Sequence, residues 1–338
     1  MEDDYGLGHL LDRFRGFPQA FEILQQERHR SQNGLINIER LMTRLLGRMP
    51  YDSGETISHE LNLLFSELKR AFIRRVELAK ADVSHKEELA AFARMCVAQR
   101  ITCVTFNYDD VLDQALWEVE RMHMGGQIHK QIPYWHPDGG YGLFVRPSEV
   151  TIHDMSRYMD KTSMLLLKLH GSINWFARMG ERRPYSVDGI LHHQSWYPPS
   201  DPNLPGPDQE LVRRHLEPDP FLIPPVLDKS SLVQEPVLQL VWSLAKERLQ
   251  DARRVVFVGY SMPLTDLAAS FLFSEALGHR PHIISVVNLA AKDEERELIR
   301  AAYRKVFPGI GRDQFDFGGA LQWVQRTVQV QSETEQAP

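Results

Sequence analysis

Four short apolar runs, each ending in glycine or polar residues, constrain the fold of this 338-residue chain more than any other feature. Their β-branched and aromatic residues predict strands. Amphipathic patterns that predict helices follow three of the runs, over 108–120, 263–278 and 293–307. Apolar strands that alternate with such helices are typical of α/β proteins, so we predict a Rossmann-like parallel sheet with helices on both faces. The four runs are RITCVTFN (100–107), MLLLKLHG (164–171), RRVVFVGYS (253–261) and HIISVVNLA (282–290).

The rest of the chain reads as an N-terminal helical segment and two long insertions. Apolar residues recur at helical spacing before residue 95, for example at Leu41, Met42 and Leu45, and these stripes predict core-facing helices. Insertions as long as the two after residue 122 usually carry function or form a lobe of their own, so we predict a small loop-rich lobe. We predict a single domain over 1–338, with a helical segment at 8–95, a core at 100–122, 162–176 and 237–310, inserted loops at 123–161 and 177–236, and a flexible tail at 330–338.

Composition excludes several classes of protein. Apolar residues make up 43% and charged residues 25%, the profile of a soluble globular protein. A net charge of −6 without a basic stripe argues against nucleic acid as a partner. No apolar run approaches the ~20 residues that span a bilayer, and the acidic start lacks a secretory signal. The only cysteines, Cys96 and Cys103, fit neither a disulfide framework nor a metal site, which favours the cytoplasm.

Polar groups and glycines cluster where the four predicted strands end. In an open parallel sheet, ligands bind beyond the carboxyl ends of the strands, so these groups are expected along one crevice. In this interpretation, His170 leaves a buried leucine run at the edge where chemistry occurs, and Gly171 allows a close approach. The candidate residues are Asn107, Tyr108 and Asp109 after the first strand, His170 and Gly171 after the second, Gly259, Tyr260 and Ser261 after the third, and Asn288 after the fourth.

A structural interpretation exists for each of these signals taken alone. A single histidine after a strand is more often a satisfied structural residue. Asparagine and aspartate are common in strand-to-helix turns, because their side chains satisfy free backbone amides. The agreement of several signals at one edge of the sheet is what favours a site.

Taken together, the motifs resemble the SIR2-like family, the bacterial relatives of sirtuins. TFNYDD (105–110) is similar to the Asn-Asp motif for nicotinamide and ribose, and KLHGSINW (168–175) to the catalytic-histidine motif. VVNLA (286–290) resembles the strand end that holds the adenosine ribose. NIERLM (37–42), IPP (223–225) and VGYSMPLTD (258–266) resemble further segments of the zinc-free subgroup, so the resemblance covers most of the chain.

The resemblance implies an NAD+ glycohydrolase that cleaves NAD+, as substrate, into nicotinamide and ADP-ribose. His170 would be a general base, on a ribose hydroxyl or on the attacking water, and Asn107 would hold that water or the ribose. Asp109 would orient the nicotinamide pocket, and Gly259, Ser261 and Asn288 would bind the adenosine side. Tyr108, Gly171 and Tyr260 would also belong to the residues that bind NAD+. The subgroup further implies a role in anti-phage defence, with another copy of the chain or a defence protein as partner.

Two departures from the family pattern keep alternatives open. Deacylating sirtuins carry a four-cysteine zinc ribbon, which two cysteines cannot form, and the scattered histidines offer no ligand set. Hence we expect no metal and rank a protein deacylase last. The glycine-rich phosphate loop is also missing, since no strand precedes the glycines at 6 and 8. This absence favours either a truncated amino end or a non-catalytic module that binds NAD+ or ADP-ribose.

Overall fold

The structure is a computed structural model of the chain. It describes residues 7–30, 37–46, 59–81, 86–123, 135, 137–143, 164–180, 182–184, 189–192, 216–226, 235–263 and 265–335. Most of the insertion predicted at 123–161 lies outside these ranges. Among the helices described, none is both long enough and apolar enough to cross a bilayer.

The chain forms two compact units. One comprises Met1–Asp82 and Leu222–Leu232, and the other comprises Val83–Phe221 and Val233–Pro338. Every candidate site residue named above belongs to the second unit. The single-domain organisation expected from the sequence stays a prediction.

Within its described residues, the first unit contains four helices whose apolar stripes face a common core. Leu41, Met42 and Leu45 are fully buried, as their spacing predicts, and Leu64 and Leu68 of a later helix join the same core. Glu27 is nearly buried at its edge and pairs with Arg40 at 2.5 Å. The helices are α1 (Leu7–Arg13), α2 (Pro18–Arg30), α3 (Ile38–Leu46) and α4 (His59–Ala81).

The second unit mixes helices with short sheets. Strands β1 (Cys103–Thr105) and β2 (Leu166–Lys168) pair in parallel, with Val104 opposite Leu167. Strands β5 (Val255–Val258), β6 (Ile284–Val287) and β7 (Phe315–Asp316) form a second parallel sheet in that order. The helices of the unit are α5 (Lys86–Ala98), α6 (Val111–His123), α7 (Pro137–Gly140), α8 (Pro236–Asp251), α9 (Leu267–Leu277), α10 (Asp293–Val306) and α11 (Gly319–Glu335).

A mixed α/β architecture is thereby confirmed, with small parallel sheets at the four runs predicted as strands. Within the described residues, the two parallel sheets are separate hydrogen-bonded units of two and three strands. Helix α8 contacts both β2 and α9, and the indole Nε1 of its Trp242 donates to the carbonyl oxygen of Leu169 at 2.8 Å. The helix therefore anchors the end of β2, which carries His170.

Some predicted loops and ends contain regular structure. The insertion at 177–236 contributes β4 (Ile190–His192), which pairs antiparallel with β3 (Trp175–Ala177). Helix α11 extends to Glu335 and so takes in most of the tail predicted at 330–338. A three-residue strand such as β4 is too short to show a clear periodicity, and its partner in the fold decides its structure.

Candidate functional site

The turn after β1 carries three of the candidate residues. The backbone N–H of Asn107 donates to Thr105 Oγ1 at 3.0 Å, which tightens the turn, and the Asn107 side chain is exposed. The carboxylate of the half-buried Asp109 accepts from the backbone N–H of Val111 at 3.1 Å. That bond caps the start of α6, so Asp109 serves the helix as well as the strand end. Tyr108 is half-buried and turns towards β2.

His170 lies directly after β2, almost fully buried at 4% exposed. Its imidazole is flanked by the rings of Phe106 and Tyr108, at centroid distances of 5.1 and 5.9 Å. Gly171 follows with φ +74°, a conformation that glycine adopts without strain, and it lets the chain turn back towards Lys168. The glycine after the histidine is therefore explained by backbone geometry.

The end of β5 meets the same aromatic cluster. The ring of Tyr260 stacks on Phe106 at 4.9 Å with an interplanar angle of 19°. Gly259 before it has φ +69°, and a Cβ there would meet no atom within 4 Å. Gly259 and Ser261 are both exposed. The parallel sheets thus bring the ends of β1, β2 and β5 together through Phe106.

Asn288, after β6, connects to this cluster through the backbone of Tyr260. Its amide Nδ2 donates to the Tyr260 carbonyl oxygen at 2.9 Å, and the hydroxyl of Tyr303 donates to the same oxygen at 2.8 Å. Asn288 is 8% exposed. In this conformation its amide supports the β5 turn, while the predicted role in holding a ribose stays a prediction.

Asp266, immediately before α9, is a site residue that is not among the candidates predicted from the sequence. One carboxylate oxygen, Oδ2, lies 3.8 Å from Nε2 of His170, and Asp266 is 6% exposed. The other, Oδ1, accepts from the backbone N–H of Ala269 at 3.3 Å and caps α9. The third predicted strand run ends at Ser261, five residues before Asp266, and this proximity was the one indication that Asp266 belongs to the site. An aspartate at the start of a helix, however, already has an ordinary explanation as a cap.

The hydroxyl of Tyr260 is a buried polar group with no hydrogen-bond partner in the part of the chain that the structure describes. Burial raises the pKa of Tyr260 well above its ordinary value, and the nearby Asp266 carboxylate raises it further. The phenol is therefore neutral at physiological pH and keeps its proton available for donation. A buried donor of this kind costs free energy unless a bound molecule satisfies it.

Beneath the strand ends lies a buried polar group of four side chains, here called the lysine network: Asp113, Tyr141, Lys168 and Asn174. Lys168 and Tyr141 are 0% exposed, Asp113 is 1% and Asn174 is 2%. Lys168 Nζ lies 3.1 Å from Asp113 Oδ2, and the Tyr141 hydroxyl donates to Asp113 Oδ1. Burial raises the pKa of Asp113, while the Lys168 ammonium opposes that rise. The network could not be predicted from the sequence, because a single lysine among leucines does not indicate which polar residues it contacts in the fold.

Within the described residues, no group of three or more His, Cys, Asp or Glu side chains is arranged to hold a metal ion. His192 is buried in β4 opposite Trp175. The side chains of four further histidines, at 123, 129, 136 and 193, lie outside the described set.

Two comparisons with known proteins were informative only in finding no match. A scan against protein-family models finds no match to this chain. A search of the curated proteins finds none either. Function can therefore be inferred only from the residues of the site and their geometry.

Proposed function

We propose that the chain is a SIR2-like NAD+ glycohydrolase built on a Rossmann-like core. The observation that carries the proposal is the position of His170, which lies where the ends of β1 and β2 meet the β5 turn, 3.8 Å from the Asp266 carboxylate. In open α/β sheets this is the edge at which ligands bind. An imidazole beside a carboxylate is the arrangement expected of a positioned general base.

The reaction would break the bond between nicotinamide and C1′ of its ribose. Nicotinamide leaves with the electron pair, a water oxygen bonds to C1′, and the water proton passes to the imidazole of His170. The balanced products are nicotinamide, ADP-ribose and one proton. Positioned base catalysis of this type is worth roughly 10²- to 10⁴-fold.

Other residues at the same edge supply complementary groups. The exposed amide of Asn107 is available to hold the water or a ribose hydroxyl. The Tyr260 hydroxyl offers a buried donor that lacks a protein partner among the described residues. The exposed Gly259 leaves open space where its Cβ would be, so a ligand can approach the backbone closely.

A second candidate function is a binding module for NAD+ or ADP-ribose without catalysis. The observation that favours it is that Asp109 and Asn288 already use their side chains within the protein, as a helix cap and as a support for Tyr260. Residue Gly8, one of the glycines considered for a phosphate loop, lies within α1. An NAD-dependent protein deacylase is the third and weakest proposal.

The decisive experiment incubates the purified chain with NAD+ and measures nicotinamide and ADP-ribose by chromatography, with and without an acyl-lysine peptide. Peptide-independent release that is lost in His170→Ala, while circular dichroism shows that the variant stays folded at the assay temperature, supports the glycohydrolase. Saturable NAD+ binding without product supports the binding module. Release that requires the peptide supports a deacylase, and neither binding nor release rejects all three.

A further inference from the structure

A buried lysine in an apolar strand is costly, and Lys168 is the last residue of β2, with 0% of its surface exposed. Its neighbours on the strand, Leu166 and Leu167, are equally buried. Removing an ammonium group from water costs several kcal/mol, which attraction to one carboxylate only partly offsets. An apolar residue would fill a buried strand position without that cost, so the charge calls for an explanation beyond packing.

The contacts of the ammonium group show what it joins. Lys168 Nζ donates to the backbone carbonyl oxygen of Asp109 at 2.5 Å, and its distances to Asp113 Oδ2 and Oδ1 are 3.1 and 3.3 Å. An ammonium group has three donors, and these contacts account for them. One bond therefore reaches the turn after β1, and the others reach the first turns of α6. Lys168 therefore links β2 to the turn after β1 and to α6.

The turn after β1 is also held at the carbonyl oxygen of Tyr108, by residues that follow β2. Ile173 donates its backbone N–H to the Tyr108 carbonyl oxygen at 2.9 Å, and the hydroxyl of Ser172 lies 3.2 Å from that oxygen. The carbonyl oxygens of Tyr108 and Asp109 are thus both tied to the β2 side, while the Asn107 side chain faces outward. Hydrogen bonds therefore fix the backbone of this turn on one side, and the side chain of Asn107 is exposed on it.

We propose that Lys168 is a positioning residue, whose ammonium group clamps the Asp109 carbonyl and thereby fixes the turn that presents Asn107. Its catalytic consequence rests on the proposed function, because Asn107 acts on NAD+ only if the chain cleaves NAD+. The clamp itself is a property of the fold and is measurable without substrate. Lys168 does not touch the reacting atoms.

The test compares a neutralised clamp with a control in the same network. In K168M/D113N the buried charges are removed together, so no unpaired charge is left, and the new amide oxygen at position 113 still accepts from the Tyr141 hydroxyl. The control Y141F removes a different hydrogen bond to Asp113 and leaves the contact between Lys168 and Asp109 in place. Both variants disturb the lysine network, but only the first releases the turn.

Two readouts are needed. The first is amide hydrogen exchange in peptides covering 105–111, with peptides covering β6 (Ile284–Val287) as the internal reference. Loss of a hydrogen bond to a charged group predicts exchange at least about tenfold faster in this turn for K168M/D113N, and no local change for Y141F. The second is NAD+ turnover per folded molecule, where we expect kcat to fall at least about tenfold with a smaller change in KM.

Equal exchange of the 105–111 amides in K168M/D113N and Y141F would overturn the clamp. Faster exchange with unchanged kcat would overturn the positioning role. If the wild-type chain does not cleave NAD+, the proposed function fails, and exchange alone still decides whether Lys168 holds the turn. If K168M/D113N does not fold, K168Q/D113N retains a polar group too short to reach the Asp109 carbonyl, and the same measurements decide.

Discussion

The carboxylate of Asp266 lies 3.8 Å from Nε2 of His170, and both side chains are shielded from solvent, at 7% and 5% exposed. Shielding makes the charge of Asp266 felt more strongly at the imidazole than it would be in water. In the proposed reaction, a carboxylate in this position would stabilise the imidazolium formed when His170 accepts a proton. The relationship joins the end of β2 to the start of α9 and gives the first prediction.

Asp266→Asn should lower NAD+ cleavage by at least about tenfold while the fold is kept, because an amide retains the cap on Ala269 but removes the charge. The measurement is kcat per folded molecule, with thermal unfolding alongside. Asp293→Asn is the control, since this exposed aspartate lies in the first turn of α10, outside the cluster of strand ends. Undiminished kcat in the Asp266 variant would remove Asp266 from the mechanism.

Asn107 and Asp109 should separate into one residue for activity and one with a stability role. Asn107 is exposed, so Asn107→Ala should change the free energy of unfolding by less than about 0.5 kcal/mol. If its amide acts in the transition state, NAD+ cleavage should fall about a hundredfold. Steady-state kinetics and urea unfolding on the same preparation check both statements.

Asp109→Ala should cost about 1 kcal/mol of stability, because the backbone N–H of Val111 loses its acceptor. Asp109→Asn keeps a capping oxygen and should recover most of that loss. If the asparagine variant is stable yet binds NAD+ weakly, the carboxylate has a binding role beyond the cap. Equal destabilisation by alanine and asparagine would contradict the capping geometry.

The elements with strong apolar patterns could be predicted from the sequence, because their patterns report burial directly. Strands β1, β2, β5 and β6 lie within the four predicted runs, and α6, α9 and α10 lie within, or nearly within, the predicted helical segments. The convergence at Phe106 was only partly predictable, since parallel strands end on one edge but periodicity does not specify which rings touch. The pairing of β3 with β4 depends on contacts between segments of weak pattern, which local sequence does not encode.

Some site residues could be predicted from the sequence, and others could not. Asn107 and His170 follow strands and were visible as polar residues at strand ends. Asp266 caps a helix and Lys168 ends a strand, but each also contacts a residue far away in the sequence. Asp266 lies beside His170, and Lys168 donates to the carbonyl oxygen of Asp109. The residues next to them in the chain give no indication of these contacts. Long-range pairs of this kind become apparent only in the folded arrangement.

The buried tyrosines predict how stability depends on alkaline pH. Burial raises the pKa of Tyr260 and Tyr303 above the ordinary value of 10. A raised folded pKa means that the stabilisation is fully present below pH 10 and is lost as pH rises beyond it. Tyr303→Phe should cost about 1 kcal/mol at pH 7, because the Tyr260 carbonyl loses one donor.

Urea unfolding of wild type and Tyr303→Phe between pH 7 and 11 measures this effect. The difference in stability between the two proteins should shrink above pH 10, where the wild type loses the contribution of the Tyr303 phenol. Absorbance of the phenolate should show a late-titrating group that the variant lacks. A stability difference that stays constant across the range would show that the phenol is not held neutral by the fold.

Gly259 and Gly180 offer a matched pair that separates backbone strain from ligand binding. Both have positive φ, +69° and +82°, and a Cβ at either would meet no atom within 4 Å. Alanine at either position should therefore cost about 1–2 kcal/mol through backbone strain alone.

Only Gly259 lies at the end of β5 beside Tyr260. Gly259→Ala alone should therefore also weaken NAD+ binding, since its methyl group would occupy space that the ligand approaches. Urea unfolding gives the strain and calorimetric titration gives the affinity. Equal affinity in the two variants, at equal loss of stability, would mean that Gly259 serves the turn and that no ligand approaches the backbone there.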